Sequence, residues 1–216
     1  MGVICVNDSY FKTIKDFRTT SSAKKLILNA MYEILPTKGN KFGFIFTHLI
    51  AVFFAVILGC SENTVELLSK VTGIMLNIQL AIFGCVFAVY SILLAFLSND
   101  YMKNLAKIDY EQNTSMLKES TTYYESVLFL FFINIGLTGI ITLLTTCISP
   151  SFRLTDNLTF DTCLAIVILI IYFGYSFRVF YELKSTIYNT IVLFRASIAY
   201  RFISFLEKSD DKKEDK

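Results

Sequence analysis

Four stretches of the chain, residues 42–61, 71–99, 126–152 and 162–177, contain no Asp, Glu, Lys or Arg. A helix that crosses a bilayer needs about 20 consecutive apolar residues, and the hydrocarbon interior tolerates charge poorly. These windows limit the fold more sharply than any motif does. Charged residues make up 18% of the 216, against about 25% in an ordinary soluble domain, too few to wet a globule of this size. The expected fold is an all-α integral membrane protein with four transmembrane helices, at about residues 42–61, 71–97, 126–148 and 162–181. The fourth window is the shortest. Its 16 residues reach roughly 24 Å at about 1.5 Å each, so Arg178 is expected to snorkel to the interface while the helix continues through Tyr181. Rich in Leu, Ile and Phe, this span is the expected lipid-facing one.

Basic residues accumulate on the cytoplasmic side of a membrane. Seven Lys and Arg precede the first span, three lie between the second and third, and eight follow from Arg178 onward; the other two connections hold only Lys70 and Arg153. Both termini are therefore expected in the cytoplasm, with short outer turns at 61–70 and 149–161. The first 41 residues contain no apolar run of signal-peptide type, so insertion is expected through the uncleaved first span. The organisation that follows is a cytoplasmic amphipathic region at 1–41 and a four-span bundle at 42–183, interrupted by a cytoplasmic linker at 98–125. An apolar cytoplasmic or interfacial helix at 184–208 and a disordered tail at 209–216 complete the chain.

Both cytoplasmic ends show helical periodicity. Over residues 21–35, Ser21 or Ser22 supplies an N-cap, Leu26, Ile27, Ala30, Met31, Ile34 and Leu35 form an apolar face opposite Lys24, Lys25 and Asn29, and Pro36 with Gly39 ends the helix. A basic amphipathic helix of this kind suits the lipid bilayer surface. After the fourth span, Ile187, Ile191, Phe194, Ile198 and Phe202 recur at helical spacing, while Thr186, Thr190, Ser197 and Arg201 make a narrow polar stripe. More than half the circumference is apolar. The segment is expected to bind a partner or the membrane surface, with Ile187, Ile191, Phe194, Ile198, Arg201 and Phe202 as its contact residues.

Chemistry-bearing residues are sparse where a pocket could form. There is one histidine, His48, and the chain has neither a Cys-x-x-Cys pair nor a Gly-rich phosphate loop. No catalytic residue, metal ligand or cofactor site is expected, and the protein is read as a non-enzyme. Lysines alternate with the acids of the 98–125 linker, which fits a solvated helical connection better than a carboxylate pair. The near-balance of 20 basic and 18 acidic residues gives no reason to expect a specific nucleic acid partner. Cys147 and Cys163 flank the second outer turn, where either a bridge or two free thiols fits.

Two patterns inside the spans carry the functional reading. His48, Asn77, Gln79, Asn134, Thr138 and Thr142 are intramembrane polar residues that need partners, with Asn77 and Gln79 expected near the outer end of the second span and Asn134 in the inner half of the third. Ala51, Ala55 and Gly59 recur every four residues, and Gly84, Ala88, Ser91 and Ala95 alternate by four and three; such stripes let helix backbones approach closely and are assigned to packing and homo-oligomerisation. The layout resembles small four-pass subunits encoded beside a soluble effector in bacterial stress and anti-phage systems. That resemblance implies a scaffold or sensor subunit in the bacterial inner (cell) membrane that self-associates and anchors or signals to a cytoplasmic protein. The alternative is a pore-forming channel or small-solute transporter.

Overall fold

Three of the four long helices outrun their charge-free windows, and the first nearly fills its own. A computed structural model of the chain describes residues 23–35, 41–96, 109–110, 114–149, 152, 155 and 157–214. In chain order the elements are α1 (Ala23–Ile34), α2 (Lys41–Gly59), α3 (Thr64–Phe96), β1 (Asp109–Tyr110), β2 (Thr114–Ser115), α4 (Met116–Cys147) and α5 (Leu158–Glu214). Helices α2 to α5 are each long and apolar enough to cross a membrane. The strands form only a two-residue antiparallel ladder, Asp109 opposite Ser115 and Tyr110 opposite Thr114. Most of the 1–41 region, with residues 1–22 and 36–40, lies outside the described residues, as do 97–108 of the linker.

The first connection is tighter than the sequence implies. Thr64 donates its hydroxyl to the carbonyls of Leu58 (3.0 Å) and Ser61 (2.7 Å), which satisfies acceptors left over at the end of α2. Helix α3 starts there. Glu66 lies in its first turn, where the helix dipole favours an anion, and pairs with Lys70 at 2.7 Å. The turn expected over 61–70 thus shrinks to Cys60–Asn63. At the start of α5, the Asn157 side chain accepts the amides of Thr159 (3.1 Å) and Phe160 (3.3 Å), an N-cap five residues ahead of the expected start of the span.

The largest departure is at the C-terminal end. The fourth span, the helix expected from 184 and the tail expected from 209 are one continuous helix of 57 residues. No glycine or proline follows Gly174, and the Lys- and Glu-rich end is made of adequate helix formers, so no residue interrupts the ladder. Likewise the linker is not one solvated helix: the β1–β2 ladder sits within it, and its last ten residues are the start of α4.

The four long helices form two antiparallel pairs, α2 with α5 and α3 with α4, joined mainly through α4 and α5. Gly43, Thr47, Ala51, Ala55 and Gly59 are all buried along one edge of α2. The α2–α5 seam places Ala51, Ala55 and Leu58 against Leu169, Tyr172 and Phe173. A Cβ on Gly59 would overlap the Ile166 side chain, and His48 lies against Gly174, so backbones meet closely at both ends of this seam. The Ala51, Ala55, Gly59 stripe, assigned from the sequence to packing and homo-oligomerisation, packs within one chain. Helix α5 is also not peripheral. Tyr172, Phe173, Ser176, Arg178, Val179 and Glu182 are all buried, which makes it the central helix rather than the lipid-facing one.

Close packing at Gly59 gives the first expectation. Gly59→Val should destabilise the protein by about 1–3 kcal/mol, the usual cost of overpacking, whereas Gly136→Val, with nothing within 4 Å of its added Cβ, should not. Thermal unfolding in detergent followed by circular dichroism compares the two; equal melting would show that the α2–α5 seam is not closely packed.

Candidate functional site

Two polar layers cross the bundle, and α5 contributes to both. At the end of the bundle that carries α1, the Arg178 guanidinium is fully buried. Its Nη2 lies 2.8 Å from Glu182 Oε1, its Nε donates to the Ile34 carbonyl at 2.9 Å, and its Cζ stands 5.4 Å from the centre of the Tyr181 ring. Ile34 is the last residue of α1. Arg178 therefore caps the C-terminus of α1, where the unpaired carbonyls and the negative end of the helix dipole both favour a cation. The expected snorkelling does not occur, because Glu182 one turn along supplies a counter-charge inside the protein and removes the need to reach water.

Around this pair the hydroxyl groups of α4 and α5 interlock. Tyr123 and Thr186 lie 3.4 Å apart, Tyr124 and Thr190 lie 2.9 Å apart, and Tyr90 of α3 donates to Glu125 Oε1 at 3.5 Å. Ala30 of α1 packs with Val127, Leu130 and Phe131 of α4, so the small side chain lets α1 sit closely against the bundle.

The second layer lies nearer the α2–α3 and α4–α5 turns. Ser176 donates to Asn134 Oδ1 at 2.9 Å, Thr138 and Tyr172 share a hydrogen bond of 3.0 Å, and the Tyr172 hydroxyl points at Met75 Sδ, 3.9 Å away. Contacts of Ser69 with Thr146 and of Tyr90 with Glu125 set the α3–α4 register, which places Gln79 level with the turn between Asn134 and Thr138. Gln79 and Asn134 thus share a depth, where the sequence puts them at two. Both are fully buried. Among the described residues, neither amide atom of Gln79 has a hydrogen-bond partner, nor has Asn134 Nδ2. On the α1 side of the second layer, level with the Arg178–Glu182 pair, lies an apolar tier of Val86, Val127, Leu130, Phe131 and Val179.

No protein-family model, curated protein or solved structure matches this chain. The remaining sequence-predicted residues separate by position. His48 stays at α2, donating from Nδ1 to the Phe44 carbonyl at 2.8 Å, and Thr142 bonds the Thr138 carbonyl of its own helix at 2.8 Å. Asn77, Gly84, Ala88 and Ser91 lie exposed on α3, and the Ala95 side chain lies outside the described ones. Cys147 and Cys163 carry free thiols. Among the described residues no cluster of His, Cys, Asp and Glu could hold a metal ion.

Sequence reasoning missed Tyr172, Ser176 and Glu182 as site members. The signal was present as two four-residue series, Tyr172–Ser176 and Glu182–Thr186–Thr190, of which the second draws a polar line along α5. Along that line the helix is inverted relative to a water-soluble one. Thr186 is 2% exposed, whereas Ile187, Ile198 and Phe202 are 53%, 66% and 64% exposed. Ile191 and Arg201 are also exposed, and Phe194 is half-buried.

The Arg178–Glu182 pair gives the second expectation. Removing one partner of a buried pair leaves the other charge uncompensated, at a cost of about 3–5 kcal/mol. Glu182→Leu should therefore destabilise the protein more than the double variant Arg178→Leu/Glu182→Leu does. Detergent-titrated unfolding would read both, and a single variant as stable as the wild type would mean that the pair is hydrated.

Proposed function

We propose that this chain is a non-enzymatic multi-pass subunit of a cell membrane, the bacterial inner membrane by its resemblance in layout, that anchors or signals to a cytoplasmic protein partner. The observation that carries the reading is the inverted α5, whose apolar side chains stay outward beyond the bundle. Water would not leave Ile187, Ile191, Ile198 and Phe202 exposed in this arrangement, so lipid or protein covers them. The basic-residue distribution supports a cytoplasmic position for both termini, and with them for this extension.

In that placement the depths become meaningful. Helix α2, about 28 Å long at about 1.5 Å per residue, matches a hydrocarbon core of about 30 Å. With Lys41 at the cytoplasmic boundary, the antiparallel α2–α5 register puts Arg178 and Glu182 near that boundary too, and the Gln79–Asn134 layer near the bilayer centre. Helix α5 then links the centre of the membrane to the cytoplasm without a joint. A pore is the second reading, supported by the central polar layer; the apolar tier beneath it weighs against a permanently open path.

Replacing Ile191, Phe194 and Ile198 together by Ser should abolish copurification of the partner from gently solubilised membranes while leaving insertion intact. Undiminished copurification would remove α5 from partner binding. Single-channel currents from the pure protein in liposomes, altered by Asn134→Asp, would overturn the subunit reading and establish the pore.

Copies of the subunit are proposed to associate through α3, where Asn77, Gly84, Ala88 and Ser91 face outward as small or polar side chains that lipid solvates poorly. Gly84→Leu should shift the particle toward monomer in mass photometry. A wild-type protein already monomeric at working concentrations would end this part of the proposal.

A further inference from the structure

We propose that the layer formed by Gln79, Asn134, Thr138, Tyr172 and Ser176 is a hydration site, holding resident water between the amides of α3 and α4. Gln79 and Asn134 are fully buried, and together they present one carbonyl oxygen and two amide nitrogens with no hydrogen-bond partner among the described residues. A buried amide without a partner costs roughly 1–3 kcal/mol on mutational scales, so two of them at one level point to a ligand that serves both.

The chemistry of the layer selects that ligand. Its side chains are amides, hydroxyls and a thioether, all neutral. A cation would meet the N–H groups of both amides. An anion would find no free positive charge, since Arg178 is committed to Glu182 and the Ile34 carbonyl. The ligand must be neutral, small, and able both to accept from N–H and to donate to C=O. Water does this, accepting from Asn134 Nδ2 and Gln79 Nε2 while donating to Gln79 Oε1, within the two to four hydrogen bonds typical of buried waters.

The surroundings make such water resident. Val86, Val127, Leu130, Phe131 and Val179 close the layer on the α1 side. Ala51, Ala55, Leu58, Leu169 and Phe173 pack beside Met75 and Tyr172. Met75 and Tyr172 are themselves 7% and 4% exposed, and both side chains react rapidly with hydroxyl radicals, which provides a local reporter.

The test compares two radical sources on the full-length protein in detergent, with oxidation read by mass spectrometry. X-ray radiolysis makes radicals from water wherever it sits, whereas photolysis of added peroxide makes them in bulk solvent. Exposed Met31 should be oxidised by both. Met75 should be oxidised several-fold more by X-rays than by bulk radicals, relative to Met31, and Gln79→Leu or Asn134→Leu should remove that excess. A wild-type Met75 that stays unoxidised under X-rays while Met31 reacts would overturn the proposal, as would an excess that persists in a folded Gln79→Leu protein. If neither leucine variant folds, the wild-type comparison decides alone. The result is independent of any partner, so its failure would leave the subunit reading standing.

Discussion

Arg178 has no exposed surface, and the positions of three helices depend on satisfying it. Burying a guanidinium costs several kcal/mol unless its charge and its N–H groups are met. Glu182 meets the charge from the next turn of α5, and the Ile34 carbonyl takes Nε from another element altogether. Docking of α1 is thus a condition for the arginine to remain buried. Docking in turn requires the flat surface at Ala30 against Val127, Leu130 and Phe131. The same α4 residues form the apolar tier that closes the second polar layer on the α1 side, so the cap on α1 and the seal on the bundle are coupled through one set of side chains.

The interior polarity follows from what surrounds a bundle of this kind. In water, burial of apolar side chains drives helices together; in lipid that force is absent, and close backbone contact with a few hydrogen bonds takes its place. The structure has both. Gly43, Thr47, Ala51, Ala55 and Gly59 let α2 approach α5, while Asn134–Ser176 and Thr138–Tyr172 tie α4 to α5. Each such hydrogen bond contributes about 0.6–2 kcal/mol in membrane proteins, so backbone packing and side-chain pairing carry comparable weight. Apolar side chains meanwhile crowd the outside, as Phe42, Ile45, Leu49 and Phe53 do on α2.

The existence and rough bounds of the four long helices were legible in the sequence, because charge delimits a membrane span directly. Their true starts at Thr64 and Leu158 were hidden for opposite reasons. Glu66 and Lys70 look like loop residues until their four-residue spacing is recognised as a helical pair, and Asn157 reads as part of the outer turn at 149–161 until its side chain is seen to cap α5. The polar residues His48, Gln79, Asn134 and Thr138 were found by type, but their common depth was not, since depth depends on helix register and a sequence records only position along one helix. Arg178 was misread because the rule for a lone arginine in an apolar run is to reach for water. The glutamate four residues later was on the page as the competing signal. Small-residue stripes were the least decidable feature: Ala51–Ala55–Gly59 and Gly84–Ala88–Ser91 look alike in sequence, yet the first is buried within the chain and the second is exposed.

One property of α5 connects these observations to the proposed role. From the Ser176 hydrogen bond to Ile198 the helix advances about 33 Å at about 1.5 Å per residue, with no glycine or proline between them. A helix without such breakers has no local hinge to absorb a displacement. A shift at the Asn134–Ser176 contact would therefore appear as a movement of the exposed apolar face at the far end, unless Arg178 held α5 in place. Because Arg178 is fastened to α1 as well as to Glu182, α1 restrains the rod where it leaves the bundle. In the proposed subunit, anything that lifts α1 from α4 removes a hydrogen bond from a buried cation and loosens the helix that reaches the partner. Under that proposal the coupling between the bundle and the exposed apolar face of α5 runs through one guanidinium.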